Sequence, residues 1–258
     1  MKKHLLSAFR SPLSLFARNR TTLGAHLPVF MEPALSEEED QCVQSFSRLY
    51  YEQLDKGRGL HTVVLSWMGH ELFKCPMDLW IYQELIFMHK FDLVVEIGTY
   101  KGGSTLYIAN MLDLVNNGSV ISVDVDDSHR DVRPRHPRIE YLLGSSTDQK
   151  IFGRIKQAAQ GKTNPLVILD GDHRCDNVLR ELKFYQQLIQ PGGYLIVEDT
   201  NVNGHPAFEN HGPGPWEAVD AFLQENTEFV PDRTCERFLL TMNPRGYLRR
   251  RSQLSLGT

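Results

Sequence analysis

Long apolar runs are missing from this 258-residue chain. None approaches the ~18 residues that a membrane-spanning helix requires. Cysteine is scarce: Cys42, Cys75, Cys175 and Cys235 form no CxxC pair and no zinc spacing with nearby histidines. A disulfide framework is therefore excluded, and a reduced, cytoplasmic protein is expected. Positive charge is not in excess either. The formal net charge is −4, so no global basic field exists for nucleic acid, and none is expected as a partner. Internal repeats, low-complexity tracts and the GxGxxG dinucleotide fingerprint are all absent.

What remains is an ordinary globular composition, with 41% hydrophobic and 23% charged residues. A chain of this length can bury a sizeable core. The N-terminal MKKHLLSAFRSPLSLFARNR is basic, with no acid before Glu32. Arg10 interrupts its apolar stretch too early for the ~7–15-residue core of a signal peptide. It reads as a flexible or docking arm. Arg245, Arg249, Arg250 and Arg251 form a second basic cluster, which reads as a solvated tail.

Ser36 and Glu39 have capping-box spacing and open a helix that runs to about Leu54. HTVVLSW (61–67) is a candidate strand, and LWIYQELIFMH, apolar nearly all round, is a buried helix. Strands and helices then alternate. DLVVEIG, SVISVDV, IEYLLG, PLVILD and YLIVED read as strands. STLYIANMLDLV, IFGRIKQAAQ, NVLRELKFYQQLI and PWEAVDAFLQEN read as helices between and after them. EFVPDR and RFLLTMN look like a final strand pair. This pattern predicts an α/β fold: a Rossmann-like, doubly wound, mostly parallel sheet with helices on both faces and an N-terminal helical extension. The segmentation is 1–75 for the arm and extension, 76–250 for the domain and 251–258 for a tail.

Acids collect where such a sheet binds ligands, at the carboxyl ends of its strands. Glu96 closes the first strand, Asp124 and Asp126 the second, Asp170 the fourth, and Glu198 and Asp199 the fifth. VVEIGTYKGGST is a strand, a glycine-rich turn and a helix start. Gly98 permits the turn, while Gly102 and Gly103 would let a ligand approach the backbone. Asp124, at the next strand end, suits ribose hydroxyls. Loop and acid together suggest a nucleoside-containing cofactor other than NAD.

Six segments carry a family resemblance: WMGHELFKCPMDLWIYQELI (67–86), EIGTYKGGS (96–104), LDGDH (169–173), LIVEDTNVNGHP (195–206), GPGPWEAV (212–219) and PRGYLRR (244–250). On them the chain resembles the cephalosporin hydroxylase and rhamnosyl O-methyltransferase family of class I S-adenosylmethionine-dependent methyltransferases. The resemblance implies a seven-stranded sheet whose last strand is antiparallel. It implies S-adenosylmethionine as cofactor, with Glu96, Gly98 and Gly102 bordering its methionine end. Thr99 and Ser104 of the same loop count as cofactor contacts, as does Asp170. Asp124 would hold the ribose, and Ser146 and Thr147 would lie by the adenine.

Under that topology Asp170, Glu198 and Asp199 crowd together. Three buried carboxylates repel one another, and a divalent cation relieves that cost. An all-oxygen set favours Mg²⁺ or a similar hard ion, and the trio resembles the magnesium ligands of catechol-type O-methyltransferases. His173, three residues after Asp170, would be the catalytic base. Asp172 would orient it or serve as a fourth ligand. His205 and His211 fall in a Gly/Pro-rich loop (203–215) suited to a substrate lid. Trp67 and Tyr82 read as core, and Lys74 as a candidate contact to cofactor or substrate.

The leading expectation is a Mg²⁺-dependent O-methyltransferase acting on a hydroxyl of a sugar, glycolipid or other natural product. One alternative is a hydroxylase with an iron triad of His173, Asp199 and His205. Another is a non-catalytic S-adenosylmethionine-binding partner subunit. A homo-oligomer is expected from the family.

Overall fold

The computed structural model describes residues 35–55 and 65–252, except for the side chains of 53–55. The basic arm, residues 61–64 of the first candidate strand and most of the C-terminal tail lie outside the described residues. The described residues belong to one compact unit, Ala34–Thr258.

The sheet has the predicted seven strands. In chain order they are β3 (Leu93–Ile97), β4 (Val120–Asp124), β5 (Ile139–Leu143), β6 (Pro165–Leu169), β7 (Tyr194–Val197), β8 (Phe229–Pro231) and β9 (Tyr247–Arg250). Their spatial order is β5-β4-β3-β6-β7-β9-β8. The first five pair in parallel, and β9 runs antiparallel between β7 and β8. The order reverses between β3 and β6, the position at which open α/β sheets bind ligands.

Every residue of β3 and β6 is buried, as expected for central strands covered on both faces. On one face α4 (Gln149–Ala158), α5 (Cys175–Tyr185) and α6 (Pro215–Glu225) contribute Phe152, Ile155, Leu182, Tyr185 and Phe222 to a core. On the other, α2 (Pro76–His89) and α3 (Gly103–Leu114) contribute Ile81, Leu85, Ile86, Ile108 and Leu112.

Before the sheet come α1 (Glu37–Asp55) and a hairpin of β1 (Leu65–Trp67) and β2 (His70–Leu72). The capping box is present: Glu39 N–H donates to Ser36 Oγ, and Ser36 N–H donates to Glu39 Oε2 at 2.8 Å. Trp67 Nε1 donates to Asn110 of α3 at 2.8 Å. The hairpin thus packs onto the domain, although the sequence segmentation assigned it to the extension.

Two expectations near the C-terminus are corrected. RFLLTMN is not a strand. Its Leu239 has a φ of 66°, and Phe238 and Leu239 are exposed. The strand is Tyr247–Arg250, inside the supposed basic tail. Arg250 donates to Ile189 O and pairs with Glu228, Arg245 pairs with Asp220, and Arg249 lies over the Tyr194 ring. These arginines are consumed by the sheet edge and its supports.

Asp78 in the first turn of α2 explains how segment 241–247 is held. Its buried carboxylate accepts from Thr241 Oγ1 (2.6 Å), Met242 N–H (2.9 Å) and Tyr247 Oη (2.8 Å). Asp78→Ala would strand three buried donors. Chemical denaturation should show a loss of about 3 kcal/mol. A loss below about 1 kcal/mol would show that the segment is held by other contacts.

Candidate active site

A cavity of about 1030 Å³ opens at the carboxyl ends of β3, β4, β6 and β7. Backbone ladders bring these ends together: Gly98 N–H donates to Val123 O, Asp170 N–H to Ile97 O, and Glu198 N–H to Leu169 O. Gly98, Thr99, Ser104, Asp124, Ser146, Thr147, Asp170, His173 and Asp199 all line the cavity. Glu96, Gly102 and Glu198, named with them from the sequence, are not among its lining residues.

Glu96 lies beneath the glycine loop, fully buried. It accepts from Ser104 Oγ (2.6 Å), Ser122 Oγ (2.9 Å) and Thr105 Oγ1. Burial nevertheless holds its carboxyl above the usual range. Its place is that of an anchor for the start of α3. The glycines also differ from expectation. A Cβ at Gly102 would meet Pro134 Cδ at 2.9 Å, and one at Gly103 would meet Glu71 O at 2.2 Å. Close protein packing, and not only ligand approach, requires these two glycines. Asp124 grips the loop by accepting from Thr99 N–H (3.0 Å) and Tyr100 N–H (2.8 Å) through Oδ2. Its Oδ1 accepts from Asp126 N–H at 2.9 Å. A carboxylate has about four acceptor sites, so one remains for a ligand.

The acid cluster is organised around Lys74, which the sequence marked only as a possible ligand contact. The loop after β2 delivers it into the interior, where its side chain is 1% exposed. Its Nζ pairs with Glu198 Oε2 at 2.7 Å and with Asp170 Oδ2. Burial opposes its charge, but Asp170, Glu198 and Glu96 outweigh that and push its pKa up. Tyr82 Oη donates to the other oxygen of Glu198 at 2.6 Å. Glu198 is therefore turned toward α2 and Lys74 and away from the open cavity. Burial and the charge of Asp170 raise its pKa well above the ordinary value.

Asp170, His173 and Asp199 form the group whose ligand atoms all lie within 4.8 Å of one another. His173 Nε2 is 3.5 Å from Asp170 Oδ1 and 3.3 Å from Asp199 Oδ2. It is buried and makes no hydrogen bond. Burial disfavours the imidazolium, but Asp199, Asp170 and Glu198 override this and push the His173 pKa up to about 9. Lys74 and His173 are the cationic groups that face these acids. Asp199 is held in left-handed backbone, φ 54°, by its N–H bond to Asn243 Oδ1 at 3.0 Å.

Asp172 neither orients His173 nor joins the cluster. Arg174 claims it at 2.7 Å. The triad of His173, Asp199 and His205 does not form either. His205 stacks on Trp216 at 4.2 Å between ring centroids and contacts Glu217 at 3.1 Å. His211 and Phe208 of the 203–215 loop and Val202 just before it line the cavity, as do Tyr51 of α1 and Phe73; Tyr51 packs edge-on against Phe208.

The comparisons with known proteins agree with this architecture. A profile described as Rhamnosyl O-methyltransferase/CmcI matches residues 61–251. The rhamnosyl O-methyltransferase of Mycobacterium tuberculosis is 33% identical over 251 residues, 92% of this chain and 99% of its own length. That of Mycobacterium leprae is 40% identical over 166 residues, covering 62% and 71%. The chain belongs to the rhamnosyl O-methyltransferase/CmcI family.

An apo CmcI structure matches over 95% of this chain and 98% of its own, with a TM-score of 0.57 and 20% identity. CmcI in a Mg-SAM form matches over 77% and 83%, with a TM-score of 0.56 and 21% identity. At these identities the structural likeness shows the shared fold. As a member of this family the chain is an O-methyltransferase.

The 203–215 loop hangs on Glu217. Pro215 opens α6, and Glu217 in its first turn accepts from Gly214 N–H (2.7 Å) and Asn203 Nδ2 (2.8 Å). Partial burial opposes its charge, yet these donors and His205 hold its pKa down at about 2. A lowered carboxyl pKa adds stability that is complete above its ordinary 4.5 and is lost as pH falls toward 2. Glu217→Gln removes that contribution even at neutral pH. Amide hydrogen exchange across residues 203–212 should then accelerate at least about tenfold. Unchanged exchange would mean that the loop is held without Glu217.

Proposed function

We propose that this enzyme moves the methyl group of S-adenosylmethionine to a hydroxyl of a sugar of the rhamnosyl class named for its curated relatives, with Mg²⁺ as cofactor. The observation that carries the reading is the convergence of Asp170, His173 and Asp199 beside a glycine-loop cavity. The donors suit a hard divalent ion, because two carboxylates face one point; the His173 nitrogen beside them has no hydrogen bond and so keeps its lone pair for a proton. Asp170 and Asp199 would hold the ion from the cavity side. Glu198 stands behind them, and each of its oxygens keeps a lone pair that Lys74 and Tyr82 do not use.

A bound Mg²⁺ would make a coordinated hydroxyl easier to deprotonate. The protein's own groups do the rest. Gly98 and Thr99 would border the methionine end of the cofactor, Asp124 the ribose, and Ser146 and Thr147 the base. His173, aimed between the two aspartates, accepts the hydroxyl proton once those acids are neutralised. The acceptor oxygen then takes the methyl in line, and the sulfonium leaves as a neutral thioether. Tyr51, Phe73 and Phe208 give the acceptor end aromatic surfaces on which a sugar face can lie. The hydroxylase reading loses support because His205 is engaged elsewhere.

All four cysteines are free, and no helix among the described residues is long and apolar enough to cross a membrane. Both facts accord with a cytoplasmic setting, which we include in the proposal together with the homo-oligomer implied by the family.

The direct test is transfer of labelled methyl from S-adenosylmethionine to a rhamnosyl acceptor, with Mg²⁺ or with a chelator. Transfer that needs Mg²⁺ supports the reading, and chelator-insensitive transfer would remove the metal from it. Asp199→Asn should weaken Mg²⁺ binding at least about tenfold while the thermal melt is retained. His173→Ala should keep S-adenosylmethionine affinity but lower turnover by roughly 10²–10⁴-fold. Full turnover in that variant would place the base elsewhere. Glu198→Gln with unchanged Mg²⁺ affinity would remove Glu198 from the ligand set.

A further inference from the structure

Along the cavity wall four lining residues form a hydrogen-bond chain with a fixed direction. Arg180 Nη2 donates to Asn177 Oδ1 at 3.1 Å, and Asn177 Nδ2 donates to Glu181 Oε1 at 3.1 Å. Ser146 Oγ lies 2.5 Å from the same Glu181 oxygen. All four residues border the cavity. Glu181 is 1% exposed, and its Oε2 is buried without a partner.

The direction follows from donor and acceptor chemistry. A guanidinium only donates, so the Asn177 carbonyl must face Arg180 and its amide must face Glu181. In the ionised carboxylate Oε1 accepts both from that amide and from the Ser146 hydroxyl. Burial pushes the Glu181 pKa up to about 7, so the relay has this direction at mildly alkaline pH, where it is to be tested. The single hydroxyl hydrogen of Ser146 is thereby committed to Glu181, and only its oxygen lone pairs are left for the cavity.

We infer that Glu181, through this relay, makes Ser146 an obligate acceptor and so selects a 6-aminopurine over a 6-oxopurine in the cofactor. The inference rests on the proposed cofactor reading, in which Ser146 borders the base. An N9-linked adenine has one N–H donor group, its exocyclic amine, since N1, N3 and N7 all accept. Ser146, held as an acceptor, can pair with adenine at that amine alone. A 6-oxo group there would set lone pairs against lone pairs. Ser146 is the contact, and Glu181, Asn177 and Arg180 are positioning residues.

The test compares binding of S-adenosylhomocysteine with its deaminated counterpart, S-inosylhomocysteine, by calorimetry. The wild type should favour the adenosyl compound at least about tenfold. Glu181→Leu frees the Ser146 hydroxyl to turn, and the ratio should fall to within about threefold, mainly because the inosyl compound binds better. A merely structural effect would weaken both compounds together and leave the ratio intact. Ser146→Ala should also lower the ratio, by weakening the adenosyl compound. Equal binding of the two by the wild type overturns the inference, and this arm decides even if Glu181→Leu does not fold. A wild-type ratio retained in Glu181→Leu overturns it as well. Binding of neither compound would defeat the cofactor reading itself, an outcome distinct from binding without discrimination.

Discussion

A buried ammonium holds this site together. Lys74 comes from outside the βα units, yet it ends between Asp170 after β6 and Glu198 after β7. Removing a lysine from water is costly unless its charge is matched, and the same is true of each carboxylate. The pairing therefore binds the loop after the β1–β2 hairpin to the strand ends as firmly as it binds the charges to one another. Tyr82 of α2 completes the arrangement by donating to the remaining oxygen of Glu198. The segment before the first sheet strand is thus part of the site and not a separable extension.

The cavity uses buried acids in two ways. Near Asp170, His173 and Asp199, carboxylates lie close enough that cations must balance them, and the protein supplies Lys74 and His173. Near Ser146, a single buried acid, Glu181, takes two neutral donors at one oxygen. The first arrangement concentrates charge where a methyl acceptor would lose a proton. The second avoids net charge and fixes the direction of hydrogen bonds, which suits recognition of an uncharged base. The glycine loop spans the two, anchored below by Glu96 and gripped at its edge by Asp124.

Much of this was legible in the chain. Apolar runs alternating with helices marked β3, β4, β6 and β7, and the acids at their ends marked the cavity, because parallel strands present their carboxyl ends together. Ser36 and Glu39 announced α1, and Pro215 announced α6. Other features depend on contacts that no local pattern carries. RFLLTMN has strand-like composition but is pinned as a loop by Asp78, far away in sequence. The arginines of β9 looked like a solvated tail because pairing of Leu248 with Leu195 is not visible locally. Glu198 looked equivalent to Asp199 until Lys74 and Tyr82 claimed it. The one available signal for Lys74 was its place, a lone lysine between the apolar LF and CP, where burial would demand a counter-charge.

The acceptor is set by different parts of the molecule. Cofactor-side residues stand at strand ends and on α5, whose positions the sheet dictates. Other lining residues come from elsewhere: Tyr51 of α1, Phe73 after the hairpin, Val202, Phe208 and His211 around the 203–215 loop, and Met242 before β9. Each lies on a segment added to the parallel core. Such segments can change shape while the sheet and its acids stay in place. Family membership therefore constrains the methyl-transfer chemistry more tightly than the choice of hydroxyl. Glu217 matters in this context although it touches neither charge cluster: it holds Gly214 and Asn203, and Asn203 in turn holds Gly212 beside His211, so it helps set the shape of the cavity there.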